Sequence, residues 1–518
     1  MERKVGIIGA GISGLLACKY ALAKGYQPLV FESRNTIGGV WTKTLETTKL
    51  QTPKSFFQFS DFPWPSFVDT LYPSQTQVFD YLQSYAKHFD LLKHIRFNTN
   101  VLNIKYHKGP SHEENNPSNW GGDHNGDPFG NKGKWIITTQ HLLTQTVEVT
   151  QVDFVILCLG RFSDVANIPE FPIDQGPEVF EGKVMHSIEY SNLENEKARD
   201  LIKGKRVTVV GFKKTALDIA MQCATVNGVK YPCTMICRTP HWNVYQSIPW
   251  ANMFLNRFSE LLIHKPGDGP LLNFLATLLS PLRWGIGKYV ENDIKKKHSL
   301  KKIGMVPNHS FLQAMNSCLV VTTPEGFYDN VDKGSIILKR SPTFTFHKEG
   351  VLLCDDSDYG TNKPIKNDLV IFATGFKGDQ KLRDIFASPN FQKCISSSCN
   401  ETTPLYRECI HPRIPQLAVI GFSESFANLF ASEIRCRWLF ELLDGKFKLP
   451  NIQEMEKDVL IWKKSMKTFS PKYYGRPCIG ALHIWYNDRL CEDMGLNPKR
   501  KKGIWAELFE PYTPTDYA

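Results

Sequence analysis

The feature that most constrains this chain is a short apolar run, Val5–Ile8, followed at once by Gly9-Ala10-Gly11-Ile12-Ser13-Gly14. Residues 12–23 have helical periodicity, and Pro28–Glu32 is a second short run closed by an acid. The segment therefore reads as strand, glycine turn, helix and strand, a unit that belongs in a parallel sheet covered by helices. Gly9 makes the tight bend, Gly11 lets the backbone approach a pyrophosphate, and Gly14 lets helix and strand pack closely. The helix start adds free N–H groups and a partial positive charge. Glu32 stands where an acid binds a ribose hydroxyl.

The pattern restarts 200 residues on. Arg206–Gly211 reads as a strand, Thr215–Val226 as a helix and Cys233–Arg238 as a strand. Gly211 holds the first glycine place, Lys213 the second, and Ala216 the third, where alanine is tolerated. Lys213 is a departure: its side chain must point away from a pyrophosphate or meet it as a charge. Thr215 opens the helix. Arg238 stands where an NAD site carries an acid, and a guanidinium suits a 2′-phosphate, so NADPH is favoured over NADH. In the first unit Gly38-Gly39-Val40-Trp41 follows Glu32. Such a glycine pair is unusual in dehydrogenases and resembles the flavoprotein extension of this fingerprint, in which backbone and an aromatic residue line the isoalloxazine end, so FAD is expected here.

Other stretches complete the layout. Residues 77–97 read as mostly helical, 107–134 as an exposed insertion loop, and Phe154–Gly160, Leu369–Gly375 and Gln416–Gly421 as strands. Asn428–Leu443 reads as a helix, and the tail after Pro450 as helical. The expected fold is α/β, with two Rossmann-like dinucleotide-binding domains, the NADP domain inserted into the FAD domain, and a helical C-terminal extension. The expected boundaries are 1–170 (FAD, first part), 171–335 (NADP, with a helical insertion), 336–450 (FAD, second part) and 451–518 (extension).

A net charge of +10 over 518 residues, without a block of five basic residues, describes a solvated surface and not a nucleic-acid binder. The 13 cysteines show neither a C-x2-C pair nor histidines at zinc spacing, which predicts no metal site and reduced thiols in a cytoplasmic compartment. The absence of cysteine between Cys18 and Cys158 excludes a dithiol-disulfide flavoreductase. The N-terminus reads as a strand and not a leader, because glycines interrupt its apolar run. The segment 271–290 is apolar but broken by Pro281, Arg283 and Lys288, so a buried helix pair is expected, ahead of a membrane-surface or spanning element.

Between the two units lies Phe180-Glu-Gly182-Lys-Val-Met-His186-Ser-Ile-Glu-Tyr190, the full F-x-G-x-x-x-H-x-x-x-Y pattern. With Asp61-Phe-Pro63, Tyr85-Ala-Lys-His-Phe89, Ala373-Thr374-Gly375, and Asn428-Leu429 leading to Glu433, it makes the chain resemble the class B flavin-containing monooxygenases. Residues 46–51, 59–65 and 307–311 look closest to the plant immunity-linked branch associated with N-hydroxylation of pipecolate. The resemblance implies FAD, NADPH and O2, a C4a-hydroperoxide on the flavin, and oxygenation of a small amine, or of a sulfide as the runner-up, glucosinolate-like thioethers among them. It also implies that Thr374, Gly375 and Asn428 lie in the cofactor site and that Gln51 takes the place of a family asparagine beside the flavin. His186 reads as a structural histidine at the domain hinge. Auxin-type oxidative decarboxylation, Baeyer–Villiger chemistry and a nucleotide sensor without turnover are the other readings weighed.

Overall fold

The computed structural model describes residues 3–107, 126–130, 133–245, 251–354, 364–396, 403–471 and 478–517. Most of the expected insertion loop at 107–134 lies outside them.

Two five-stranded parallel sheets organise the chain. The first contains β1 (Lys4–Ile8), β2 (Gln27–Phe31), β3 (Ile95–Arg96), β4 (Phe154–Leu157) and β10 (Leu417–Val419), in the order β10-β4-β1-β2-β3. The second contains β5 (Lys183–His186), β6 (Val207–Val210), β7 (Cys233–Cys237), β8 (Ile336–Arg340) and β9 (Leu369–Phe372), in the order β8-β7-β6-β9-β5. In each, the strand before the glycine turn lies at the centre with its βαβ partner on one side; on the other side lie the later strands β4 and β10 in the first sheet, and the later β9 and the earlier β5 in the second. The strands are apolar on both faces because helices cover one face of each sheet and a small three-stranded antiparallel sheet covers the other. β4, β6 and β9 are buried at every residue.

The return of β10 to the first sheet nests the second unit inside the first, as expected. The expected boundary at 335 is displaced: β8 pairs with β7, and β9 with both β6 and β5, so the second sheet runs on to Phe372. Hydrophobic pattern identifies a strand but not its neighbours, and pairing alone assigns a strand to a sheet.

Helix α1 (Ile12–Ala23) packs on β1 and on α4 (Asn428–Leu443), the most deeply buried helix. Helix α2 (Lys214–Asn227) packs on β6 and β7. Gln75–His88 is helical behind a Ser74 capping box, but 95–96 is strand β3, not the helix expected to run to 97. The tail forms helices Ile452–Phe469, His483–Asp493 and Ile504–Phe509. Glu260 fixes that tail by accepting the Ile484 and Trp485 N–H groups, both at 2.8 Å, at the start of the second of these helices.

Two expectations are overturned. The segment 271–290 is not a buried pair but part of one 28-residue helix, α3 (Pro270–Lys297). It continues through Pro281 because the Thr277 carbonyl, deprived of its helical N–H, accepts the Ser280 hydroxyl at 2.8 Å. Leu271, Phe274, Leu278, Leu282 and Tyr289 recur on one face and are exposed, Leu271 to 71% and Leu278 to 63%. The opposite face, with Ala276, Gly287, Val290 and Ile294, is the buried one. The thiols are not all reduced either: Cys318 and Cys478 form a disulfide across 160 residues. Only tertiary proximity makes such a pair, so spacing along the chain gave no sign of it.

Candidate functional site

The two strand ends carrying glycine turns are built alike and differ where their sequences differ. Gly9 has φ +102°, and its N–H donates to the Phe31 carbonyl at 2.8 Å, so the turn leaves β1 beside the end of β2. A Cβ on Gly14 would stand 1.8 Å from the Gly9 carbonyl oxygen, which is the close helix–strand approach the motif exists to allow. Gly11 has an extended backbone, φ −75° and ψ −171°, that any residue adopts. A Cβ there would meet the Gly39 Cα at 3.5 Å, an ordinary contact, so the protein itself accommodates a methyl at 11 and only a group bound between Gly11 and Gly39 would call for glycine.

In the second unit Lys213 caps α2 with φ −110° and ψ −177°, the same extended backbone as Gly11. Lysine is therefore conformationally admissible at 213. Ala216 fits where Gly14 could not carry a methyl, because α2 stands farther from its turn: a Cβ on Gly211 would be 3.4 Å from that of Ala216. Gly211 itself needs glycine, with φ +140° and the Ala373 carbonyl oxygen 2.5 Å from its Cβ position. Thr215 lies exposed on the first turn of α2, and Arg238 is exposed directly after β7.

Glu32 is buried, and its two oxygens accept the Ala10 N–H at 2.7 Å and the Arg34 N–H at 2.9 Å. A carboxylate accepts about four hydrogen bonds, so the same group shapes the glycine turn and retains capacity for a ribose hydroxyl. The Gly38 N–H donates to the Ala10 carbonyl at 3.0 Å, which brings Gly38-Gly39 against the first turn. Arg34 then holds the Gly39 carbonyl at 2.6 Å. Val40 is exposed, and Trp41 is half-buried, edge-on to Phe57. The opening between Gly11 and Gly39, which side chains would fill, fits a pyrophosphate-bearing cofactor.

Asn428 begins α4, and its side-chain carbonyl accepts the Ser425 N–H at 2.6 Å. The first turns of α1 and α4 meet where Ser13 donates to Ser432. Below them Glu433 accepts the Ser60 N–H at 2.8 Å and the Ser60 hydroxyl at 2.9 Å, fixing the loop that carries Asp61-Phe62-Pro63. Burial pushes the Glu433 carboxyl from its ordinary 4.5 up to about 7, against the Ser60 hydrogen bonds that favour the carboxylate. With the folded value raised, its stabilisation is complete below about pH 4.5 and is lost as pH rises through about 7. The wild-type Tm is expected to fall more from about pH 5 to about pH 8 than that of Glu433→Gln, which cannot ionise. Parallel pH profiles would contradict this.

The hinge motif closes on the Ala373-Thr374-Gly375 loop. His186 is buried; its Nδ1 accepts the Ile188 N–H at 3.2 Å, which leaves Nε2 to donate to the Gly375 carbonyl at 3.1 Å. Gly375 has φ +91°, and its carbonyl also accepts the Asn167 N–H at 2.9 Å. The Thr374 hydroxyl donates to the Asn167 carbonyl. Burial lowers the His186 pKa, so the ring is neutral near pH 7. Tyr190 is fully buried and donates to Gln222 at 3.0 Å, while Phe180 packs beside Gly182. These four residues hold the hinge, His186 through the Gly375 loop and Tyr190 through Gln222 of α2.

Gln51 is exposed and joins the two units. Its side-chain carbonyl accepts the Thr322 N–H at 3.2 Å, and its backbone carbonyl accepts the Thr322 hydroxyl at 2.9 Å. The same loop carries a contact that sequence reading missed: Thr48 donates to buried Asp218 at 2.8 Å, and Lys214 pairs with that carboxylate at 2.5 Å. The signal was present, since Asp218 is an acid flanked by Ala216, Leu217, Ile219 and Ala220 within one helix. Arg340, at the end of β8 beside Arg238, was missed as well. Among the described residues no group of three His, Cys, Asp or Glu is placed to hold a metal ion.

Comparison with known proteins agrees with this construction. The profile of the family described as flavin-binding monooxygenase-like matches residues 2–502. A probable flavin-containing monooxygenase 1 of Arabidopsis thaliana is 39% identical over 99% of this chain and 96% of its own length. Flavin-containing monooxygenase 5 of Rattus norvegicus is 26% identical over 100% of this chain and 88% of its own. Among solved structures, the OTEMO complex with FAD and NADP superposes with a TM-score of 0.66 at 17% identity, covering 95% of this chain and 97% of that one. The S-allyl-L-cysteine S-oxygenase of Allium sativum gives 0.57 at 18% identity, covering 96% and 89%. With two nested dinucleotide-type units, an intact hinge motif and a family match along nearly its whole length, the chain belongs to the flavin-binding monooxygenase-like family and is a monooxygenase of that class.

Proposed function

We propose that the protein binds FAD in its first unit and NADPH in its second, and uses them with O2 to N-hydroxylate a small amine or amino acid such as pipecolate. The observation that carries the cofactor reading is the Gly11–Gly39 cradle at the end of β1, clasped to the second glycine turn through Thr48 and Asp218. The substrate reading rests on the likeness of residues 46–51, 59–65 and 307–311 to the N-hydroxylating plant branch.

The flavin, when bound, supplies the redox chemistry, and the protein supplies binding, orientation and exclusion of water. The free N–H groups at the N-terminus of α1 would hold the pyrophosphate, with Gly9, Gly11 and Gly14 shaping the turn that brings them to it, and Glu32 would accept from a ribose hydroxyl. Gly39, Val40 and Trp41 line the approach to the ring. Gly211, Lys213 and Thr215 present the start of α2 to the second coenzyme, and Arg238 reads its 2′-phosphate. Thr374, Gly375 and Asn428 border the cofactor crevices. Gln51, with its carbonyl committed to Thr322, directs its amide N–H groups as the donors available beside the flavin. No described helix is long and apolar enough to cross a membrane.

The test is aerobic incubation of the yellow protein with NADPH and pipecolate, followed by mass spectrometry. A product heavier by one oxygen atom is expected. Oxygenation of methionine-type sulfides with no amine product would move the reading to S-oxygenation, and NADPH-insensitive flavin would favour the sensor.

A further inference from the structure

We infer that Arg340 is a second coenzyme-specificity residue, closing with Arg238 as a two-guanidinium clamp on the 2′-phosphate; this rests on the NADPH reading above. The register of the second sheet carries the inference. The Gly211 N–H donates to the Ile236 carbonyl at 3.0 Å, and the Ser341 N–H to the Cys237 carbonyl at 3.1 Å. Cys237 and Arg340 are direct partners across β7 and β8. The glycine turn, Arg238 and Arg340 therefore lie along one edge of the sheet, the carboxyl ends of three neighbouring strands, where open α/β sheets bind their ligands. The two arginine Cα atoms are roughly 5–6 Å apart, an interstrand spacing with a one-residue stagger.

Both side chains are exposed, and among the described residues neither has an acidic partner. The contrast with the opposite edge is direct. There Arg206, at the start of β6, is held bidentate by Asp368 through Nε at 3.0 Å and a terminal nitrogen at 2.6 Å. At the ligand edge the two guanidiniums have no such carboxylate among the described residues. Arg340 lies close enough to Cys237 for its charge to draw that thiol down, against the burial that pushes it up. Adjacent like charges without a counter-ion are unfavourable until an anion sits between them, and two planar forks match the three oxygens of a phosphate dianion. Lys214 is not available for the task, being bound to Asp218.

The test uses the flavin-loaded protein, calorimetric titration, and two probes, adenosine 2′,5′-bisphosphate and adenosine 5′-monophosphate. The wild type is expected to prefer the bisphosphate. Arg340→Ala is expected to weaken the bisphosphate about 10- to 100-fold, the range for a lost charge-assisted hydrogen bond, and to leave the monophosphate unchanged. Arg340→Lys should recover part of the loss, and flavin content and Tm should stay at wild-type values. A wild-type preference that survives Arg340→Ala overturns the clamp alone. Equal weakening of both probes also overturns it. A wild type without preference overturns the clamp and the NADPH reading together.

Discussion

Gly14→Ala is expected to yield protein with little or no bound flavin. The added methyl would be placed 1.8 Å from the Gly9 carbonyl oxygen. That oxygen cannot retreat, because the Gly9 N–H is bonded to Phe31 and a Gly9 Cβ position already lies 2.5 Å from the Cys158 carbonyl. Helix α1 must move instead, and its N–H groups move with it. Overpacking usually costs about 1–3 kcal/mol, and contact with backbone places this case at or above the upper end. The measurement is visible absorbance per protein after reconstitution with FAD. Gly269→Ala is the control, since nothing lies within 4 Å of its Cβ position and its φ is ordinary. A Gly14→Ala protein as yellow as wild type would refute the cradle.

Asp218→Ala is expected to separate the two units thermally. Asp218 is 3% exposed; burial pushes its carboxyl up, and Lys214 and Thr48 pull it down. Removing one partner of a buried pair costs about 3–5 kcal/mol. Lys214 keeps 17% of its side chain exposed and can recover water, so about 2–3 kcal/mol is expected, a Tm loss on the order of 5 °C. Thr48→Val removes one hydrogen bond and should cost about 1 kcal/mol. Combining it with Asp218→Ala should add almost nothing, because the partner is already gone. Additive losses would show that the Thr48–Asp218 bond is not what couples the units.

The elements around the glycine turns were legible in the chain with small error. Helices 12–23 and 428–443 stand where periodicity placed them, and β1, β2, β6, β7, β9 and β10 are offset by a few residues at most. Even the departure at Lys213 was readable as a place needing an account, although its backbone conformation was not. Pattern failed in the segment 271–290, where apolar content suggested burial and the structure exposes a face. A helical stripe says that one side differs from the other, not which side meets protein. It failed again at Cys318 and Cys478, and at Gln51, whose carbonyl is committed to a strand 271 residues away.

The sequence by itself determined the two dinucleotide-type units and the family, because each is written in contacts between near neighbours: a turn that needs glycine, a helix start, an acid or arginine at a strand end. Only the tertiary structure decided that strands 336–340 and 369–372 join the second sheet, that loop 46–51 clasps α2, that Arg340 stands beside Arg238, and that a disulfide joins residues 318 and 478. Those are pairings between distant segments. Their free energy depends on which surfaces the whole chain brings together, and no local pattern encodes that choice.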